Sequence, residues 1–160
     1  MVENQFGRDL HVMVYNDNHR DYIRRGINQG SVARTDNFVV RADGTLISPV
    51  SFQFDEITRL IANPIPKDKL VIRGGEFTTI ANQCESKYNY HARNIEITRS
   101  NVELCELKHY VTGELDHGAP YTGFVSVSQC AFVEIHDCLL TGHKTYRFVD
   151  VGGMINSMGT

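Results

Sequence analysis

The amino-acid sequence predicts an all-β protein in which a short mixed β module leads into a right-handed parallel β-helix. Three observations carry that expectation. The chain opens with β-branched and aromatic runs bounded by turn residues. Beyond residue 66 one template recurs: two apolar residues separated by one, a compact polar or small corner, then another apolar residue. Its recurrences fall at intervals that suit stacked rungs.

In the first module, His11-Val-Met-Val-Tyr15 and Asn37-Phe-Val-Val-Arg41 read as strands. Ala42-Asp-Gly-Thr45 reads as a tight turn, because Asp-Gly supplies the positive φ that a hairpin needs. Ser51 to Ala62 opens as an alternating strand. Its second half fits either one helical turn or a continued strand, and strand is the expectation. Asn63-Pro-Ile-Pro66 stops it, since proline restricts itself and its predecessor. This boundary divides residues 1–66, a β-rich lead-in and capping module, from residues 67–160, the rungs of the coil.

The template appears in LVIRGGEF (70–77), IEITRSNV (95–102) and VEIHDCLL (133–140). Its strand positions Ile72, Ile97 and Ile135 lie 25 and 38 residues apart (72 to 97, 97 to 135). The first interval is one rung and the second a rung with an extra loop, with Phe124-Val-Ser-Val-Ser128 as a further strand inside it. Strands this short cannot stand alone, because they bury too little against their ordering entropy. Stacking ~4.8 Å apart gives each strand two hydrogen-bonded neighbours and aligns like side chains inside the coil. Ile72, Ile97 and Ile135 are therefore expected to form one inner ladder, each worth ~1.5–3 kcal/mol when fully buried. The corners Arg99-Ser-Asn101 and His136-Asp-Cys138 need compact residues, and asparagine tolerates the left-handed conformation found there. A β-sandwich also uses short strands with regular turns and is the competing assignment; the shared template favours the β-helix.

At 160 residues the chain suits one domain or part of a larger one, and can bury ~70% of its unfolded surface. Its apolar fraction of 41% and charged fraction of 22% are ordinary for a globular protein. A net charge of −3 gives no field that would suggest nucleic acid or an anionic membrane as partner. The apolar runs are too short to span a bilayer, so no membrane insertion is expected. The start, Met-Val-Glu-Asn-Gln-Phe, lacks the regions of a signal peptide. Either the protein is released in the cytoplasm, as phage components are, or the chain is a fragment of a secreted protein. Cys84, Cys105, Cys130 and Cys138 are separated by 21, 25 and 8 residues (84 to 105, 105 to 130, 130 to 138) and form no CxxC pair. They match no zinc pattern and read as small core hydrophobes; no metal and no cofactor is expected.

Gly75-Glu-Phe-Thr-Thr-Ile-Ala-Asn82, Asp116-His-Gly-Ala-Pro-Tyr-Thr-Gly-Phe124 and Thr141-Gly-His-Lys-Thr-Tyr146 carry a resemblance. On these segments residues 69–146 resemble the pectate-lyase-like superfamily of right-handed parallel β-helices, especially the β-helix proteins of phage tails and prophages. Such proteins run through more rungs, so the resemblance implies a fragment, with homotrimerisation as a candidate assembly and a polysaccharide as partner.

Two segments offer the chemistry. Thr112 to Thr122 carries Glu114, Asp116, His117 and Tyr121 in a loop shaped by Gly113, Gly118 and Pro120. Asp116 and His117 suit an acid/base pair, Tyr121 suits stacking on or protonating a sugar, and a self-folded solvated loop is the plainer reading. Thr141 to Tyr146 brings His143 and Lys144 to neutralise a uronic acid carboxylate, with Tyr146 acting beside them. The plainer reading there is a corner with a tucked histidine and an exposed lysine. His109 and Tyr110 suit carbohydrate stacking, although alternating aromatics in strands more often serve packing. A hydrolase of the polygalacturonase kind needs clustered Asp residues, and the rungs offer few. The expected function is therefore binding or depolymerisation of a polysaccharide, acidic and lyase-like. The alternative is a non-catalytic structural or adhesive phage-tail component.

Overall fold

The computed structural model describes residues 5–24, 28–81, 95–113, 124–140 and 155–158. These form twelve β-strands and no helix, so none is long and apolar enough to cross a membrane among the described residues. The chain divides into two compact units, Met1–Pro66 and Lys67–Met158.

The first unit is an antiparallel sheet of β1 (Leu10–Arg24), β2 (Asn28–Val40) and β3 (Arg59–Pro64), ordered β2-β1-β3. Alternation on β1 puts Leu10, Val12 and Val14 on one face, where they pack with Phe38 and Val40 of β2. The regular β1–β2 register ends at Asn16. There the Asn16 side chain accepts hydrogen bonds from the backbone of Asn18 (3.0 Å) and His19 (3.1 Å), drawing an irregular segment out of the ladder. Gly44 turns the chain at φ 86°, and Arg41 N–H donates to the Thr45 carbonyl at 2.8 Å, as the Ala42–Thr45 turn requires.

The expected strand from Ser51 forms only over its last part, from Arg59. Upstream, the Asp36 carboxylate accepts from the backbone N–H groups of Ser51 and Phe52, and the Asn16 amide donates to Asp55 at 2.9 Å. Side chains thus take the groups that a ladder would otherwise use. Pro64 ends β3 on the sheet edge, the place where a missing donor does least harm.

The second unit contains nine short strands: β4 (Leu70–Arg73), β5 (Glu76–Ala81), β6 (Ile95–Ile97), β7 (Val102–Cys105), β8 (Lys108–Gly113), β9 (Val125–Ser128), β10 (Val133–His136), β11 (Leu139–Leu140) and β12 (Ile155–Met158). They make three parallel sheets, β4-β7-β10, β5-β8-β11 and β6-β9-β12. The chain therefore visits three sheets in a fixed order, three times.

The inner ladder differs from the sequence expectation. Ile72 pairs with Leu104 and Leu104 with Ile135, whereas Ile97 lies in another sheet and pairs with Val127. All three isoleucines still pack on one core, built on Val102, Leu104, Leu107, Phe124, Val125, Val127 and Cys130. The segment equivalent to LVIRGGEF and VEIHDCLL is thus VELCELKH (102–109), at intervals of 32 and 31 residues (70 to 102, 102 to 133). Corners repeat with it. Gly74, Glu106 and Asp137 follow β4, β7 and β10, and each holds a positive φ of 70°, 59° and 52°. Asn101 takes φ 63° ahead of β7, as its residue type suggested.

A charged face on the first parallel sheet

Because Ile72, Leu104 and Ile135 face the core, the alternate residues of β4, β7 and β10 lie on the other side of that sheet. The register aligns Val71, Glu103 and Glu134 in one row, and Arg73, Cys105 and His136 in the next. Two carboxylates side by side on neighbouring strands repel. Lys69 resolves this, with Nζ at 3.3 Å from Glu103 Oε2 and 3.0 Å from Glu134 Oε1. Its hydrogen bonds to Glu134 and then Glu103 raise the lysine pKa, and the same lysine holds Glu103 below the usual carboxylate range.

The second row is more varied. Cys105 is buried, and the neighbouring Arg73 guanidinium has its pKa raised first by a hydrogen bond to the Cys105 sulfur. His136 Nε2 lies 3.5 Å from Glu103 Oε1, while its Nδ1 lies 2.8 Å from Asp137 Oδ2. Asp137 first, and Glu103 after it, raise the His136 pKa against the opposing cost of burial. Side-chain exposures of 16% for Glu103 and 46% for His136 leave the group reachable from solvent. One donor atom from each of Glu103, Cys105 and His136 falls within 4.8 Å of the others, a set able to hold a cation. With Glu103, Glu106, Glu134 and Asp137 against Lys69 and Arg73, the face carries more negative than fixed positive charge. It suits a cation better than a uronic acid.

Of the residues singled out from sequence, Glu114, Asp116, His117, Tyr121, His143, Lys144 and Tyr146 lie outside the described residues. His109 is described and fully buried, at 0% exposure. It faces inward on β8, stacks on Phe124 at 4.1 Å between ring centroids, and its Nε2 lies 2.9 Å from Thr79 Oγ1. It serves packing rather than substrate contact. Sequence reasoning missed Glu103, Cys105 and His136. The signal was present in the matched strands Val102-Glu-Leu-Cys105 and Val133-Glu-Ile-His136, whose second and fourth residues share a face. Comparison with protein-family models, with curated proteins and with solved structures finds no match.

Proposed function

We propose that residues 67–158 form a right-handed parallel β-helix that binds a polysaccharide. The observation that carries this reading is the order of the strands: three passes through three parallel sheets, in one sequence, with every pairing in register. Right-handed winding is what twisted strands of L-residues favour for parallel crossover connections. Short stacked strands make a rigid shaft, and ligand contacts then fall to the segments that leave it. The segment joining β8 to β9 carries Glu114, Asp116, His117 and Tyr121, and the one after β11 carries His143, Lys144 and Tyr146. Carboxylate, imidazole, ammonium and phenol are the groups that recognise an acidic glycan and could cleave it by β-elimination. The step from fold to glycan rests on analogy between folds, so the test addresses binding directly.

A second reading, a non-catalytic adhesive or structural component of a phage tail, draws on the described carboxylates. Glu103 and Glu134 are held by Lys69 and do not form the facing acid pair of a glycoside hydrolase. The deciding experiment incubates the chain with a panel of acidic and neutral glycans. It follows binding, unsaturated product by ultraviolet absorbance, and new reducing ends. Binding with unsaturated product supports a lyase, and His117→Ala should then lower its rate by ~10²–10⁴. Binding without product supports the adhesive reading, with Lys144→Ala weakening acidic glycans selectively. Absence of binding across the panel overturns the proposal.

A further inference from the structure

We propose that Glu103, Cys105 and His136 form a binding site for a borderline-soft divalent cation, with zinc the best fit. The donor set selects the metal class. A thiolate, an imidazole nitrogen and a carboxylate oxygen together match zinc and its neighbours in the first transition row. Calcium and magnesium call for oxygen alone.

The geometry is close to what such an ion needs. Zinc bonds of ~2.0–2.3 Å in a tetrahedron place donor atoms roughly 3.3–3.7 Å apart. His136 Nε2 and Glu103 Oε1 already stand at 3.5 Å, and all three donors lie within 4.8 Å. Closing the set asks for a movement of about an ångström, within reach of side-chain rotation. Two donors, Glu103 and Cys105, come from alternate positions of β7, and Cys105 is the register partner of His136 on β10. The backbone spacing is thus fixed by a parallel ladder instead of a loop.

Neighbouring groups prepare each donor. Asp137 Oδ2, 2.8 Å from His136 Nδ1, favours the tautomer protonated there and leaves the Nε2 lone pair for the ion. Lys69 holds Glu103 Oε2 at 3.3 Å, so Oε1 remains the coordinating oxygen. Arg73 sits against the sulfur, and its side chain, 62% exposed, has room to swing away as the cation enters. Three protein donors leave a fourth position for water.

Titration of the reduced chain with cobalt(II) reads the site directly, because a thiolate ligand gives a charge-transfer band in the near ultraviolet. One equivalent should produce that band, and zinc should remove it. Cys105→Ser should abolish it, while Cys84→Ser, Cys130→Ser and Cys138→Ser retain it. Glu103→Gln and His136→Gln should weaken cobalt binding at least 10-fold; both side chains reach solvent, so folding is not at stake. Asp137 is a positioning residue. Asp137→Asn should weaken binding by ~10–100-fold with the saturated band unchanged in position, and Asp137→Glu should recover part of the loss. A band that survives Cys105→Ser, binding indifferent to Glu103→Gln and His136→Gln, or no band from the wild-type chain overturns the proposal.

Discussion

The first unit finds its strand partners nearby in sequence, whereas the second finds them about one pass of the chain away. β1 runs into β2 after residues 25–27, and the two pair from Leu10↔Val40 to Arg24↔Asn28. In the second unit Val102 pairs with Leu70 and Val133, 32 and 31 residues off. Closing a connection ten times longer costs about 2 kcal/mol more. Short strands such as β6, of three residues, or β11, of two, repay little of that individually. Repayment comes from the shared interior, where side chains from all three sheets meet in one cluster. Long local strands tolerate an isolated loss. Short stacked strands depend on the residue at the middle of the stack.

Leu104 is that residue, with no exposed surface and a stacked neighbour on either side. Leu104→Ala should destabilise the chain by ~2–5 kcal/mol in urea unfolding, the range for buried leucines whose cavity cannot collapse. Leu60→Ala, on the edge strand β3 with 50% exposure, should stay within ~0.5 kcal/mol. If the two variants unfold at similar urea concentrations, the contrast between the units fails.

Backbone strain divides the units in the same way. Among the described residues, positive φ falls on one non-glycine residue of the first unit, Ser31, and on five of the second. Tight corners between sheets demand that conformation, which costs an L-residue roughly 1–2 kcal/mol. Gly74 meets the demand freely at the corner after β4, and Glu106 meets it with strain at the equivalent corner after β7. Gly74→Ala should therefore cost ~1–2 kcal/mol, and nothing lies within 4 Å of the added methyl to obscure the backbone effect. Glu106→Gly should be neutral or stabilising by up to ~1 kcal/mol, because glycine's own entropy offsets part of the relief. The ion pair lost with Glu106 is long, at 4.0 Å to Arg73, and exposed, so it contributes little. Opposite signs at the two corners in thermal melts would confirm their equivalence.

Several local features were legible because a single residue type answers a single backbone need. Gly44 after Asp43 marked the turn, Asn101 the left-handed corner, and the alternation of Phe124 to Ser128 the strand β9. The register of the coil was not legible, because Ile95-Glu-Ile97 and Val133-Glu-Ile135 look alike yet belong to different sheets. Apolar alternation says that a residue faces inward; it does not say which neighbour it meets. Val102-Glu-Leu-Cys105 was overlooked as the middle strand, and the charged face depends on that register. Cys105 read as a core hydrophobe, and it is indeed buried. Its proximity to His136 and Glu103 follows only once β7 and β10 are aligned. Ser51 to Thr58 failed for another reason. The pattern was strand-like, but polar side chains of β1 and β2, Asn16 and Asp36, captured the segment.

The smallest expected effect is electrostatic and again separates the units. In the first, Asp43 is held below its usual range by hydrogen bonds from Thr45 N–H (2.9 Å) and Thr45 Oγ1 (2.7 Å). A lowered carboxylate contributes stability above its ordinary pKa and loses it as pH falls through the folded value, so this turn is indifferent near neutrality. In the second, His136 is raised, first by Asp137 and then by Glu103. A raised imidazole contributes fully below its unfolded value and loses that contribution as pH rises through the folded one. Glu103, lowered by Lys69, acts in the opposite direction and is lost on acidification. The charged face should thus be best held between the carboxylate and imidazole titrations and loosen on either side. These groups are exposed, so screening makes the change too small for a melt and well suited to NMR titration of the metal-free chain. The His136 midpoint should lie above the ordinary imidazole value of 6.5 and fall toward it in Asp137→Asn. Glu103→Gln should lower it less, in keeping with the longer contact of 3.5 Å against 2.8 Å. High salt should bring the three midpoints together. A wild-type midpoint at or below the ordinary value would mean that His136 is turned away from both carboxylates.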